Sequence, residues 1–376
     1  MKILVTGGAG FIGSHLIKKI LRLGHTVKVL DNLSPQIHGE IPQGLDWLND
    51  SRIEFIKGSV TSANDWALAL DGGVEAVVHL AAETGTGQSM YEVARYNEVN
   101  SQGTALLFDV LGKLSKSSVK RIVLSSSRSV YGEGAYLNSS GQRVFPSGRT
   151  LTALSNREWE PVCSDTGEAL QLTPTLETDL VFPSSIYAAT KYAQEDLVRI
   201  GCQSLGIEFA IFRLQNVYGQ GQSLNNPYTG ILSIFSTKIR RNSVLPLFED
   251  GNESRDFVHV DDVTEALLQG LIHKQAPNTI INVGSGVATS VKTVAEELSL
   301  AFGMEPNLKI TGQFRVGDIR HNYADISRLK SLLGVTPKIS LAEGLKQFSD
   351  WVKTQPLAID NLDKANQELR DRNLMS

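Results

Sequence analysis

The chain has 376 residues, 41% hydrophobic and 20% charged, and a formal charge of −4 that is spread without long runs of either sign. That length exceeds one typical domain, the composition is that of a globular protein, and the lack of a basic footprint excludes nucleic acid and a membrane surface as expected partners. No stretch reaches transmembrane length, the N-terminus lacks the apolar segment of a signal peptide, and Cys163 and Cys202 are too few for a disulfide framework or a four-cysteine zinc site, so a cytoplasmic protein without metal is the expectation.

In chain order, an apolar strand, Lys2-Ile3-Leu4-Val5-Thr6, runs into Gly7-Gly8-Ala9-Gly10-Phe11-Ile12-Gly13. Gly8, Gly10 and Gly13 have the G-x-G-x-x-G spacing, and Gly7, Gly10 and Gly13 the wider G-x-x-G-x-x-G. Bare backbone there lets a pyrophosphate approach the start of the following helix. The second strand, Thr26 to Leu30, presents Asp31. A carboxylate in that place accepts hydrogen bonds from ribose hydroxyls and repels a 2′-phosphate, which selects NAD over NADP.

Strand-like runs then alternate with helical patterns: Ile53–Ile56, Ala76–Leu80, Lys120–Leu124 and Glu208–Arg213. This predicts an α/β fold with a Rossmann-type doubly wound parallel sheet, whose ligands lie beyond the carboxyl ends of the strands. The segments following the strands are chemically loaded: Gly7 to Gly13, Asp31-Asn32, Ala81-Ala82-Glu83-Thr84, Ser125-Ser126-Ser127 and Gln215-Asn216-Val217-Tyr218-Gly219. After about residue 217 the alternation weakens, and short strands such as Thr279–Val283 mix with helices such as Val291–Phe302. We therefore expect a dinucleotide-binding domain over 1–217 with a loop inserted at about 136–180. A smaller mixed α/β substrate domain follows mainly over 218–352, and then a polar tail over 353–376 with a short helix, Leu362–Arg370. The helix within Leu180–Gly206 belongs to the first domain.

Tyr187 and Lys191 lie four residues apart in a helical stretch that begins at the capping residues Ser184 and Ser185, so they share a helix face. A nearby ammonium favours the phenolate, which makes the pair a proton shuttle. Such pairs also recur on plain solvated helices, and here the amino-terminal glycine site shifts the weight towards function. Ser127 follows the strand ending at Leu124, where its hydroxyl can bond the oxygen that Tyr187 deprotonates; serine-rich segments after strands are otherwise common turns.

Taken together, several motifs carry a resemblance: Thr6 to Gly13, Asp31-Asn32-Leu33, His79 to Ala82, Asn97 to Gly103, Ser125 to Gly132, Tyr187 with Lys191, Arg255 to Asp262, and Gly317-Asp318. Over roughly residues 1–350 the chain resembles the extended short-chain dehydrogenase/reductase family, the NAD-dependent nucleotide-sugar epimerases and dehydratases. The resemblance implies catalytic Ser127, Tyr187 and Lys191. Around NAD it implies Gly7, Gly10, Phe11, Ile12, Gly13, Asp31, Asn32, Ser59, Val60, Leu80, Ala81, Ala82, Asn100, Ser125 and Gln215, together with Tyr187 and Lys191. Around a nucleotide-diphosphate sugar it implies Thr84, Ser127, Arg128, Asn216, Arg255, Arg315 and Asp318. An arginine beside Asp256 reads equally well as a structural ion pair.

Two departures stand out. Gly58 is followed by Ser59 where the family usually carries an adenine-binding Asp, and the 60-residue gap from Ser127 to Tyr187 holds the insertion Tyr136–Leu180. Within it, Cys163 to Gly167 looks like the relic of a zinc knuckle, for which no metal is expected. The family's dehydratases place Asp-Glu directly after the catalytic hydroxyl, but here Arg128 and Ser129 follow Ser127. Its 3,5-epimerase/4-reductases use a cysteine near the serine and prefer NADPH, and neither feature is present. What the resemblance leaves is 4-epimerisation: oxidation at C4, rotation of the keto sugar and return of hydride to the other face. Glu83–Tyr91, Ser127–Gly134, Gln220–Gly230 and the ending Glu368–Met375 look like the branch containing the dTDP-L-rhamnose 4-epimerases. UDP-sugar 4-epimerases, a nucleotide-sugar dehydratase or dehydrogenase, and a non-catalytic sugar-nucleotide binder stay open as alternatives. Family members often dimerise through two helices per subunit, here Tyr91–Lys113 and Ser184–Leu205, so a homodimer is expected.

Overall fold

The computed structural model describes residues 1–42, 44–226, 230–273, 277–360 and 362–376, so Pro227, Tyr228 and Thr229 of the Gln220–Gly230 run lie outside the described residues. Its frame comprises β1 (Lys2–Thr6), α1 (Phe11–Arg22), β2 (Thr26–Asp31), β3 (Ile53–Lys57), α2 (Ala63–Leu70), β4 (Ala76–His79), α3 (Gly103–Lys113), β5 (Arg121–Ser127), α4 (Ile186–Leu205), β6 (Glu208–Leu214), α5 (Val260–Ile272) and β7 (Thr279–Val283). The strands form one seven-stranded sheet in the order β7-β6-β5-β4-β1-β2-β3, with every pairing parallel. The order reverses between β1 and β4, and a crevice opens at such a switch point.

The strands are apolar on both sides because both faces are covered. Ile3 and Val5 point into a core shared with Leu16 and Ile20 of α1 and Val263 and Leu267 of α5. Leu4, between them in sequence, points the other way, towards Trp66 of α2, Leu107 of α3 and Val198 of α4. The seven-strand edge departs from expectation. Thr279–Val283, read as part of the smaller unit, lies alongside β6 with Ile281 opposite Phe212 and Val283 opposite Leu214. The physical reason is α5, a right-length crossover that carries the chain back to a parallel position and buries Ile281 and Val283 in the first core.

A third core lies outside the sheet, where Leu232, Phe235, Phe257, Val294, Leu298, Leu345 and Phe348 pack together. They come from the helices Ile231–Arg240, Val291–Phe302 and Leu341–Thr354 and from strand Phe257–His259. The insertion read as a loop holds structure of its own: Tyr136–Leu137 pairs antiparallel with both Arg143–Val144 and Gln171–Leu172. A helix spans Leu362–Arg370, the bounds expected for the tail. Among the described residues no helix is long and apolar enough to cross a membrane, and no three His, Cys, Asp or Glu side chains are grouped to hold a metal ion.

Candidate active site

A cleft of about 1270 Å³ runs along the carboxyl ends of the strands. That exceeds the roughly 300–1,000 Å³ of an ordinary small-molecule site. Its amino-terminal half is built from backbone. Gly7 sits at φ +66° and its N–H donates to Leu30 O at 2.9 Å. A Cβ on Gly13 would lie 2.6 Å from Gly7 O and 2.7 Å from Gly8 Cα, so α1 begins in direct contact with the turn. Gly10 caps α1 without a side-chain acceptor, which leaves the first-turn amides for an anion. Asp31, buried at the end of β2, accepts from Ala9 N at 3.0 Å and Leu33 N at 2.9 Å, one bond per oxygen. Each oxygen keeps a lone pair for a ribose hydroxyl. The glycine cradle and this aimed carboxylate fit NAD.

Where the strand-end loops meet α4, three hydroxyls converge. Ser185 caps α4 by accepting from Ala188 N at 3.1 Å, and Ser89 Oγ accepts from Tyr187 N at 3.0 Å, which together set the start of the helix. Ser127 Oγ accepts from Ser129 N at 3.1 Å and Ser129 Oγ at 2.9 Å, and its hydroxyl is within hydrogen-bond reach of Tyr187. Burial raises the Tyr187 phenol above its ordinary range, against the Ser127 hydrogen bond and the positive charge of Arg128, both of which favour the phenolate. Burial and the neighbouring Arg255 pull the Arg128 guanidinium down to about 9, with Asp318 opposing them.

Lys191 shares the face of α4 with Tyr187, and its ammonium has a partner on the same helix. Its Nζ donates to Gln194 Oε1 at 2.7 Å, and Gln194 donates onward to Thr104 Oγ1 at 2.7 Å. Arg128 is a cation that acts on the phenol. Burial brings the Lys191 ammonium down to about 7 against the opposing charge of Glu195. The same buried string reaches His79, which bonds Thr6 at 2.7 Å and Thr104 at 3.0 Å, and burial holds it neutral with a pKa of about 3.

Most of the expected residues line this one cleft: Gly7, Gly10, Phe11, Ile12, Gly13, Asp31, Asn32, Ser59, Val60, Leu80, Ala81, Ala82, Thr84, Ser125, Ser127, Arg128, Tyr187, Lys191, Gln215 and Asn216. Gln215 donates to Asn322 Oδ1 at 3.1 Å, while its own Oε1 is buried with no partner.

Four expected residues lie elsewhere. Asn100 is fully buried, accepting from Glu83 N at 2.8 Å and donating to Glu83 O at 3.1 Å and Thr190 Oγ1 at 3.0 Å, so it ties the loop after β4 to α4. The buried guanidinium of Arg255 is spent on main-chain carbonyls, those of Ser254, Arg320 and Ile319, because strand Ser254–Arg255 pairs with His321–Asn322. Asp256 forms no ion pair with it; its carboxylate accepts from Ser285, Gly286 and Ala324. Arg315 and Asp318 line a second, smaller cavity.

Sequence reasoning missed a charged cluster that ties the insertion to the segments 249–250 and 318–320. Arg320, 1% exposed, meets Glu160 of the insertion together with Asp250 and Glu249, and Arg149 of the insertion meets Glu249 at 2.7 Å. Only the odd density of arginines and acids in these polar stretches hinted at them. Gln355 to Ala358 of the tail also line the large cleft.

The model of the NAD dependent epimerase/dehydratase family matches residues 3–152 and 162–284. The chain is 40% identical over 354 residues to a dTDP-L-rhamnose 4-epimerase from Burkholderia thailandensis, covering 93% of this chain and 94% of that one. It is 31% identical over 352 residues to a putative UDP-glucose 4-epimerase from Methanocaldococcus jannaschii, covering 93% and 98%. Among solved structures it is similar to a UDP-glucuronic acid 4-epimerase from Bacillus cereus in complex with UDP-glucuronic acid and NAD, with a TM-score of 0.77 at 25% identity over 94% of this chain and 99% of that chain.

Proposed function

The chain belongs to the NAD dependent epimerase/dehydratase family, and from that premise we propose that it is a nucleotide-sugar 4-epimerase that converts dTDP-L-rhamnose to dTDP-6-deoxy-L-talose. The observation that carries the reaction type is the convergence of Ser127, Tyr187 and Lys191 on one cleft with the glycine cradle, with Arg128 and Ser129 in place of an acid pair after the serine. The sugar is taken from the relative that is 40% identical over 93% of the chain.

NAD, when bound, supplies a reversible two-electron oxidation at the C4 carbinol. Tyr187 takes the C4 hydroxyl proton as its phenolate and returns it after the sugar has turned. Ser127 donates to the same oxygen and holds it against Tyr187, and Arg128 stabilises the phenolate between the two proton transfers. Lys191 holds the nicotinamide ribose, and Asp31 with Gly7, Gly10 and Gly13 the other ribose and the pyrophosphate. Thr84 and Asn216 orient the sugar nucleotide, with Arg315 and Asp318 at the sugar end; Asn100 and Arg255 position main chain. Water elimination would need an acid and a base beside C5 and C6, where the chain offers a guanidinium and a hydroxyl.

The enzyme works in the cytoplasm on precursors of surface polysaccharide. Val93, Tyr192, Ile200 and Leu205 are exposed on the helices expected to pair, and they are the contact of a homodimer.

The test is purified protein with dTDP-L-rhamnose and, in parallel, UDP-glucose and UDP-N-acetylglucosamine, followed by proton NMR and NADH absorbance. A C4 epimer of the dTDP sugar without net NADH is the expected result. Epimerisation of a UDP sugar alone would move the substrate, while net NADH, or a 4-keto-6-deoxy product from dTDP-glucose, would sink the epimerase reading.

A further inference from the structure

Behind the cleft lies a string of buried side chains that the reaction as described leaves unused. Lys191 lines the cleft, whereas Gln194, one turn further along α4, is fully buried outside the lining. A lysine ammonium carries three donors on a flexible stem. The acceptor that Nζ has among the described residues is Gln194 Oε1 at 2.7 Å. Glu195, the next residue, is spent elsewhere: its carboxylate accepts from Arg213 Nη2 at 2.7 Å and from Ser126. Two donors of Lys191 therefore remain for a ligand in the cleft.

The amide of Gln194 is in turn fixed from behind. Thr104 donates its one hydroxyl proton to Asn100 O at 2.6 Å, so its oxygen accepts from Gln194 Nε2 at 2.7 Å. With its amino group towards Thr104, the amide presents its carbonyl to Lys191. Turning it over would set an acceptor against the Thr104 oxygen and a donor against the ammonium. Thr104 also bonds His79 at 3.0 Å, and His79 bonds Thr6 at 2.7 Å, whose oxygen accepts from Ala81 N at 3.2 Å. The string thus anchors α4 to the ends of β1 and β4, where Ala81 lines the same cleft.

We propose that Gln194 is the positioning residue for Lys191, taking one of its three donors so that the other two are aimed at the nicotinamide ribose. The proposal rests on the reading that Lys191 holds that ribose, and it names the group that aims it. A neutral acceptor does this without locking the charge, since burial already brings the ammonium down to about 7. Among the described residues the titratable groups that face it are Glu195, paired with Arg213, His79 at the end of β4, and Tyr187 on its own helix.

The test is calorimetric titration of NAD into full-length protein stripped of bound nucleotide, from about pH 6 to 9, with no sugar present. Affinity should fall as Lys191 loses its proton, and Lys191→Met should leave no such fall. Gln194→Met removes the acceptor, so the fall should move to lower pH and affinity at neutral pH should drop about tenfold. Thr104→Val, which frees the amide to turn, should act in the same direction. Gln194→Glu puts a carboxylate in the same place, so the fall should move up by about one pH unit. Opposite shifts mark a group that acts on the ammonium, whereas a glutamine that merely fills the core would change the melting temperature and leave the fall where it is. If one variant does not fold, as judged by thermal melting, the others decide. No fall in the parent, an unmoved fall in the folded variants, Gln194→Met and Gln194→Glu shifting alike, or a fall that survives Lys191→Met overturns the proposal. Turnover of dTDP-L-rhamnose, followed by NMR, decides the epimerase reading separately. A chain that shows the opposite shifts without epimerising loses that reading and keeps the role of Gln194.

Discussion

At the cofactor end of the cleft, the groups that face a ligand are main-chain amides from seven consecutive residues, Gly7 to Gly13, with one carboxylate a strand later. At the end proposed for the sugar, Arg315 lines the smaller cavity and is held by Asn366, and the segments beside it are pinned by Arg149 with Glu249 and by Arg320 with Glu160 and Asp250. The first arrangement is set by local backbone geometry and tolerates no added atom. The second is set by charge pairing and tolerates exchange, so a family can keep one end and vary the other.

The sharpest break of the cofactor end is Gly13→Ala. Its Cβ would sit 2.6–2.7 Å from Gly7 O and Gly8 backbone atoms, none of which can swing away as a side chain does. NAD retention through purification should be lost outright. A variant that still purifies with bound NAD would show that the cradle has slack.

The matching break at the sugar end is Arg320→Met. It removes the cation that Glu249, Glu160 and Asp250 share, but Glu249 keeps Arg149 and the other two are partly exposed, so the loss stays below the about 3–5 kcal/mol of a fully buried pair. A fall in melting temperature together with loss of sugar-nucleotide binding is expected, while NAD still binds. Loss of both ligands in parallel would show that the two ends are one cooperative unit.

This contrast is also why one end was legible from sequence and the other was not. The glycine spacing and Tyr187 with Lys191 are each near neighbours along the chain, Asp31 and Ser127 each stand at the end of a strand, and all of them reached the cleft. Gln194 was not singled out, although it sits three residues after Lys191 and takes its ammonium; a glutamine in a helix looks solvated until tertiary packing buries it. Arg255 fitted the motif yet bonds carbonyls, since nothing local shows that His321–Asn322 will pair beside it. The edge strand Thr279–Val283 was visible as a strand but not as part of the main sheet, because its partner β6 lies across a whole crossover.

Acid should separate the two ends. In the unfolded chain His79 takes a proton near 6.5, but burial holds it at about 3 in the folded protein. Below 6.5 the unfolded state binds more protons, so stability falls as pH drops from 6.5 towards 3, by about 2 kcal/mol at pH 5. At the sugar end Glu160 is held at about 2 by the hydrogen bond to His321, against burial and with help from Arg320, so its contribution persists until pH falls below about 4.5. Urea melts between pH 7 and 5 should show the first loss, and His79→Asn should flatten it. An unchanged slope in that variant would place the acid sensitivity elsewhere.

Where the ends meet, Arg128 supplies the charge that favours the Tyr187 phenolate. Arg128→Met keeps the stem and removes the charge, so the Tyr187 pKa should rise and the alkaline-rising limb of the kcat profile should move up by about one pH unit, about tenfold at neutral pH. A Lys191→Met variant that moved the limb further than Arg128→Met would return the tuning role to the lysine.

The smallest effect is expected at Ser59, the one cofactor-end position where the chain departs from the family pattern. Its N–H donates to Asp65 Oδ2 at 2.8 Å and its hydroxyl shares a 2.8 Å hydrogen bond with Thr61. Ser59→Asp would restore an acceptor for the adenine amino group, but it would set a second carboxylate beside Asp65. A hydrogen bond to a charged group contributes about 1.5–3 kcal/mol, and the like-charge contact at a partly exposed site offsets part of that. The net gain in NAD affinity should be no more than about fivefold by calorimetry, with little change in melting temperature. A tenfold loss instead would mean that Asp65, anchored by the Ser59 amide, controls this corner, and that the serine is there because a second charge cannot be.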